Sequence, residues 1–233
     1  MNALQATANR INARWLLPLG AVLALAGYFG PWIDHPAAGL VITGLDLAEY
    51  VKFLPEMLAG RLPLWREGFY LPLLAVSLAL SLHAFDPRLR YNWLWRGLLL
   101  GLALVSALNL LPPAWTPARL LTPEFRQQAM ALVFLGVGVA FSPFLALLPG
   151  WSRGGVTALL ALAAMWVPAR NFVRILDDIS QLYNHPQTPA WGLYLTLAGL
   201  GVLALVGFAG AVRGPEGANH ASRSDDQSGP AGR

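Results

Sequence analysis

The chain has 233 residues, of which 56% are apolar and 12% charged, with a formal charge of +4 and no cysteine. Soluble domains carry about a quarter charged residues, and a soluble chain of this length would need far more polar surface to cover its core. The lack of cysteine excludes disulfide exchange, thiolate metal sites, iron–sulfur clusters and covalent c-type haem.

The positive balance does not describe a nucleic-acid surface, because the arginines are scattered at the ends of apolar runs instead of clustering on one face. Lys52 is the sole lysine among sixteen basic residues, and the bias toward Arg, Ala, Gly and Leu points to a GC-rich bacterial genome. Apolar runs near the ~20 residues that cross a bilayer as helix recur along the chain. The composition therefore predicts an all-α polytopic transmembrane helix bundle.

Residues 1–14 read as a cytoplasmic N-terminal segment whose Arg10 and Arg14 look like the opening of a signal peptide. The run that follows, 15–33, is longer than a signal h-region and lacks a small-x-small cleavage site, so it is expected to be a retained first span. Five more spans are predicted, at 69–85, 94–111, 128–148, 156–173 and 191–212, making 15–212 a single membrane domain. Trp15, Trp32, Trp65, Trp93, Trp115 and Trp191 mark span ends as an interfacial belt does. Asp86-Pro87, Thr122-Pro123 and Thr188-Pro189 each set an N-cap side chain before a proline at the first helical position. Pro143 lies inside the fourth span and should bend it. The fifth span is short and crosses only if it continues through Pro168 with Arg170 snorkelling outward. Proline–tryptophan corners at Pro31-Trp32, Pro112 to Trp115 and Trp166 to Pro168 hint at three repeated hairpins, although interfacial clustering explains them more simply.

With six spans, nine arginines share the side of the N-terminus, 86–96, 150–155 and the tail. Seven basic residues are spread over longer connections opposite. The positive-inside rule then places both termini in the cytoplasm of a bacterial inner membrane and 34–67 outside. The tail, 213–233, has too little apolar surface to order itself.

Two interfacial amphipathic helices are expected on the outer side, at about 44–59 and 169–184. In the first, Leu47, Val51, Leu54 and Leu58 share a face, while Glu49, Lys52 and Glu56 gather opposite, with Lys52 in reach of either glutamate. Thr43 and Asp46 form a capping box, and Pro55 should kink the helix. In the second, Phe172, Ile175, Leu176, Ile179, Leu182 and Tyr183 share a face. Arg170, Arg174, Asp177 and Asp178 share the other, where Arg174 can neutralise both aspartates. Each polar face reads as the solvated side of a covering helix or as a contact surface for a partner.

Asp34-His35 follows the first span and could join His185 with Asp177 or Asp178 in a metal site, though no spacing demands it. His83 is the one histidine near a span interior, whereas membrane haem b needs axial histidines at depth, so no cofactor is expected. Nucleophile-elbow, zinc-protease and phosphate-loop motifs are missing. No ionisable residue falls mid-span, which argues against ion-coupled transport. The polar groups there are mild, led by Ser106, Asn109 and Ser142. Gly97-x-x-x-Gly101, Gly136-x-x-x-Ala140 and Gly138-x-x-x-Ser142 allow close helix approach, inside the bundle or to another subunit.

These features together predict a non-catalytic integral membrane subunit or scaffold. Its expected partners are membrane lipids and other membrane subunits or a second copy, with no nucleic acid. Two alternatives stand beside it. One is a permease component for a small or lipid-like solute, with a cavity lined by Asn109 and the serines. The other is an outer-surface enzyme acting on a lipid or phosphorylated head group through Asp34, His35, Asp177 and Asp178.

Overall fold

The computed structural model describes residues 3–35, 38–112 and 115–212, with side chains described from Arg14 onward. The expectations for the tail, for His220 and for the Pro113-Ala114 part of the second corner fall outside the described residues, and Arg10 is described only as backbone.

Helix α1 (Ala3–Tyr28) ends five residues before the expected limit of the first span, because Gly30-Pro31 cannot carry the helical ladder onward. The chain instead enters β1 (Pro31–Ile33), which pairs antiparallel with β2 (Ile42–Thr43). Thr43 then caps α2 (Gly44–Tyr50) through the anticipated box: its Oγ1 accepts from the Asp46 N–H at 3.3 Å, and Asp46 Oδ2 accepts from the Thr43 N–H at 3.0 Å. The segment does not run on as one helix to residue 59. A 3-10 turn (Val51–Phe53) and a fresh start at α3 (Pro55–Leu58) interrupt it, since Pro55 has no N–H to continue the ladder. Leu47, Val51 and Leu54 stay buried, but Leu58 turns out to 74% exposure and leaves the expected apolar face.

After a 3-10 turn (Arg66–Tyr70) comes α4 (Leu71–His83), which buries eleven of its thirteen residues. A helix apolar all round belongs at the centre, and α4 packs against α1, α5 (Trp93–Leu108), α7 (Arg126–Ala140) and α9 (Gly150–Leu182). Asn92 caps α5, accepting from the Trp95 N–H at 2.9 Å. Thr116 caps the short α6 (Pro117–Leu120). None of the three Xaa-Pro caps read from sequence starts a helix. Asp86 is turned inward to Arg153, the Thr122 hydroxyl donates to the Arg119 carbonyl, and Pro189 bridges to Ile33.

The bend expected at Pro143 is a break between α7 and α8 (Ser142–Leu145). The fifth apolar run and the 169–184 segment are one continuous helix, α9, of 33 residues passing through Pro168, roughly 50 Å long. It closes on Asn184 at φ 51°, with Asn184 N–H donating to Gln181 and His185 N–H to Ser180, the paired bonds of a Schellman stop. Phe172, Ile175 and Ile179 are fully buried, so the apolar face predicted for that segment is packed along most of its length, while Leu182 in the last turn is 53% exposed. Finally, α10 (Trp191–Val212) coincides with the expected sixth run. The three corners are not equivalent: Trp32 is buried, while Trp115 and Trp166 are 52% and 70% exposed.

Close packing is concentrated where α10 meets α1 and α9. A Cβ on Gly199 would lie 2.2 Å from the Ala24 nitrogen, and one on Gly27 would lie 2.3 Å from the Thr196 nitrogen. A Cβ on Gly154 would lie 2.4 Å from the Ala211 nitrogen. The glycines singled out from sequence behave differently. Nothing lies within 4 Å of a Cβ on Gly97, Gly101 or Gly136, and one on Gly138 meets only Leu78 at 3.3 Å. Ala140 is exposed. Packing inside the bundle therefore does not use Gly97, Gly101 or Gly136, because α5 turns Leu99, Ala103, Ser106 and Ala107 inward instead.

Two helices, α9 and α10, are long and apolar enough to cross a membrane. With 13, 16 and 15 residues, α4, α5 and α7 reach roughly 20–24 Å, short of a ~30 Å hydrocarbon core. The apolar runs of the sequence overstate helix length because turns consume their ends.

Candidate functional site

Residues 31–35 and 38–67, with the C-terminal half of α9, form a cap over one end of the helices. Its anchor is Trp32, whose ring meets Tyr28, Phe69 and Phe172 edge-on at centroid distances of 6.2, 6.4 and 5.8 Å. The Trp32 indole N–H donates to the Gly27 carbonyl at 3.3 Å. Gly44 permits this fit, since a Cβ there would stand 2.8 Å from the Trp32 ring. On α9, the buried Asn171 donates to the Trp65 carbonyl at 2.9 Å and so fixes the far side of the cap.

A chain of charges runs across this anchor. Lys52 pairs with Glu49 at 2.5 Å and lies 3.6 Å from Glu124. Arg66 pairs with Glu67 at 2.9 Å, lies 3.8 Å from Glu124 and donates to the Glu124 carbonyl at 3.1 Å. Burial works against the Arg66 charge, but Glu67, Glu49 and Glu124 outweigh it and hold the guanidinium more firmly protonated than usual. Glu56 is not part of the chain. It binds Arg61 through two hydrogen bonds of 2.7 and 2.8 Å, which lowers the pKa of its carboxyl. The sequence had placed Glu49, Lys52 and Glu56 on one outward face; the break at Pro55 separates Glu56 from the other two.

Beside the charge chain lies a pocket of about 110 Å³, bounded by Trp65, Glu67, Tyr70, Leu110, Gln127 and Gln128. The Trp65 indole donates to Gln127 Oε1 at 3.0 Å. Gln128 is 4% exposed, and its carbonyl oxygen has no hydrogen-bond partner. Arg66, Glu67, Glu124 and the two glutamines carried no motif. The one hint was the density of charge between residues 34 and 67.

Asp34, His35 and His185 do come together, lining a surface pocket of about 490 Å³. The His35 ring sits edge-on to Tyr183 at 5.5 Å. Asp177 and Asp178 do not line that pocket, and among the described residues no group of three or more His, Asp or Glu is placed to hold a metal ion. The four-residue outer site drawn from sequence is therefore not assembled. Arg170, Arg174 and Asp177 are exposed, and among the described residues no ion pair joins Arg174 to either aspartate.

At the opposite end, where the Tyr91 hydroxyl donates to the Arg14 carbonyl at 2.6 Å, a second polar cluster is buried. Arg153, in the first turn of α9, lies 3.2 Å from Asp86 Oδ1, which also accepts from the Arg88 N–H at 2.9 Å. His83 places Nδ1 3.5 Å from Asp86 Oδ2 and Nε2 3.1 Å from Thr157 Oγ1. Arg153, Asp86, His83 and Thr157 are each no more than 6% exposed. Burial alone would raise the Asp86 pKa; the adjacent His83 ring, the bond from the Arg88 amide and the charge of Arg153 overcome it and hold the carboxyl below its ordinary range. Arg153 was legible in the sequence only as one basic residue among many.

The mild polar groups between the two ends are occupied. Ser77 donates to the Ala103 carbonyl at 2.9 Å, Ser81 to Ser77 at 2.8 Å, and Ser142 to Ser81 at 2.6 Å. These bonds tie α8 and α5 to α4. Ser106 and Asn109 donate back along their own helix, to Leu102 and Val105, each at 2.8 Å.

No family model, curated protein or solved structure shows significant similarity to the chain.

Proposed function

We propose that this chain is a non-catalytic, multi-pass subunit of a bacterial inner-membrane complex. In this reading α1, α4, α5, α7, α9 and α10 cross the bilayer in alternate directions, the shorter helices accommodated by local thinning and interfacial side chains. The cap lies outside and both termini lie in the cytoplasm. A partner helix, from another subunit or a second copy, seats on α5. The observation that carries the proposal is the bare Gly97-x-x-x-Gly101 seam. At Gly27, Gly154 and Gly199, where α10 meets α1 and α9, a Cβ would stand within 3 Å of backbone, whereas at both glycines of this seam it would meet nothing of the same chain, and the seam is flanked by exposed Leu94, Leu98 and Val105. In lipid, such a seam gains most from another helix. The permease reading is disfavoured because the serines and Asn109 that should line its path are bonded to backbone carbonyls. The outer enzyme is disfavoured because its acids and histidines do not converge.

Association is read in mild detergent by cross-linking and by identifying co-purified proteins. Because a Cβ at Gly97 or Gly101 meets nothing within 4 Å, Gly97→Leu with Gly101→Leu should leave the melting temperature unchanged. The associated fraction should fall about tenfold, the equivalent of roughly 1.4 kcal/mol. A wild-type chain that is strictly monomeric and partnerless would sink the proposal. A reporter fused after Arg233 should be active only on the cytoplasmic side; activity outside would overturn the six-crossing arrangement.

A further inference from the structure

The pocket beneath Trp65 has three properties that point to one ligand chemistry. First, its size is small and definite. A cavity of about 150 Å³ takes benzene, with six heavy atoms, so about 110 Å³ suits roughly four. Second, Gln128 presents a carbonyl oxygen that is buried, without a partner and part of the lining. A buried acceptor left unmet costs about 1–3 kcal/mol, so a ligand that donates to it recovers much of that. Third, the adjoining charges do not cancel. Among the described residues, the ion pairs of Glu49, Glu67 and Glu124 are with Lys52 and Arg66, three carboxylates to two cations, which leaves one negative charge in excess beside an aromatic wall of Trp65 and Tyr70. An aromatic face and an excess carboxylate both attract a cation.

We propose that this pocket binds a small primary ammonium of the ethanolamine type. The ammonium donates to Gln128 Oε1 and faces the Trp65 ring, and its charge balances the excess carboxylate; the two carbons fill the apolar part of the pocket formed by Leu71, Leu74 and Leu110. The ligand is either the free amine or the head group of an ethanolamine phospholipid, since both present the same atoms. The site does not depend on the subunit reading, and a monomeric, partnerless chain would leave it intact.

The test is calorimetric titration of the full-length chain in detergent with ethanolamine hydrochloride, at matched ionic strength. Ethylene glycol serves as the uncharged isostere. Saturable ethanolamine binding at least tenfold tighter than ethylene glycol is expected. Gln128→Leu should weaken it about tenfold or more, and Gln128→Glu, which keeps the shape and adds charge, should tighten it. The second variant keeps the test decisive if the first unfolds. Native mass spectrometry from bilayers of phosphatidylethanolamine and phosphatidylglycerol separates the two sources. Selective retention of the ethanolamine lipid by the wild type but not by Gln128→Leu identifies the head group; ethanolamine binding without lipid selectivity identifies the free amine. Absence of saturable ethanolamine binding together with absence of lipid selectivity overturns the proposal. Folded Gln128 variants that bind ethanolamine as the wild type does would overturn it equally.

Discussion

Replacing Gly199 with leucine should prevent the bundle from assembling. The new Cβ alone would stand 2.2 Å from the Ala24 nitrogen and 2.6 Å from the Gly20 carbonyl oxygen. Both obstacles are backbone, so no side chain can rotate away, and α1 and α10 must separate along their whole shared seam. Overpacking a core ordinarily costs about 1–3 kcal/mol. A clash of backbone on backbone, with a leucine behind it, should exceed about 3 kcal/mol, a large fraction of the ~5–15 kcal/mol that holds a domain. The expected result is loss of the monodisperse species in detergent, or a strongly lowered melting temperature where some folded protein survives. Gly97→Leu is the matched control, because a Cβ there meets nothing within 4 Å, and it should shift stability by no more than about 0.5 kcal/mol. If Gly199→Leu melted like the wild type, the α1–α10 seam would be misplaced.

The second large effect belongs to the buried end opposite the cap. Asp86→Asn removes the only carboxylate within ion-pair distance of Arg153 among the described residues, at a site where Arg153 is 3% exposed. Leaving one partner of a buried pair uncompensated typically costs about 3–5 kcal/mol, whereas removing both with an apolar substitute is often near neutral. Asp86→Asn should therefore be severely destabilising. Asp86→Asn combined with Arg153→Met should recover much of the loss, and the double-mutant cycle measures the coupling. The pH dependence has a definite sign. The folded-state pKa of Asp86 lies below its ordinary value, so its contribution is complete above the unfolded carboxylate pKa near 4. It fades as the pH falls below that and through the folded value. The stability gap between wild type and Asp86→Asn should be full at pH 7 and should shrink at pH 3, as read by thermal unfolding. A gap that did not change with pH would mean that the Asp86 charge is not what stabilises this end.

The two clusters differ in how they could have been found. Lys52 and Glu49 are three positions apart, across the junction of α2 with the 3-10 turn that follows it, so helical spacing makes their pairing readable. Arg66 and Glu124, 58 positions apart, are brought together only by the tertiary fold, and Trp65 bonds Gln127 across 62 positions of sequence. Asn171 reaches Trp65 across 106. Nothing local announces such contacts. The same limit explains the glycines. A small-x-x-x-small pattern shows that a helix can be approached closely, but not whether that face meets its own chain. The pattern recurs along α5, α7 and α10, and only α10 uses it fully inside the bundle.

From sequence alone follow the helical character of the apolar runs, the limits of 191–212, the capping box of Thr43 and Asp46, and the packed face of Phe172, Ile175 and Ile179. Each is written in residues within a turn or two of one another, where propensity, capping and periodicity act. Only the tertiary structure decided that Trp32 would anchor the cap, that the serines would bond backbone, that Asp86 would meet Arg153, and that Gln128 would close a pocket under Trp65. Helices such as α4 and α10 are apolar on every side, so their sequences carry no phase to say which face goes where. That choice is made by shape and by long-range hydrogen bonds once the helices pack.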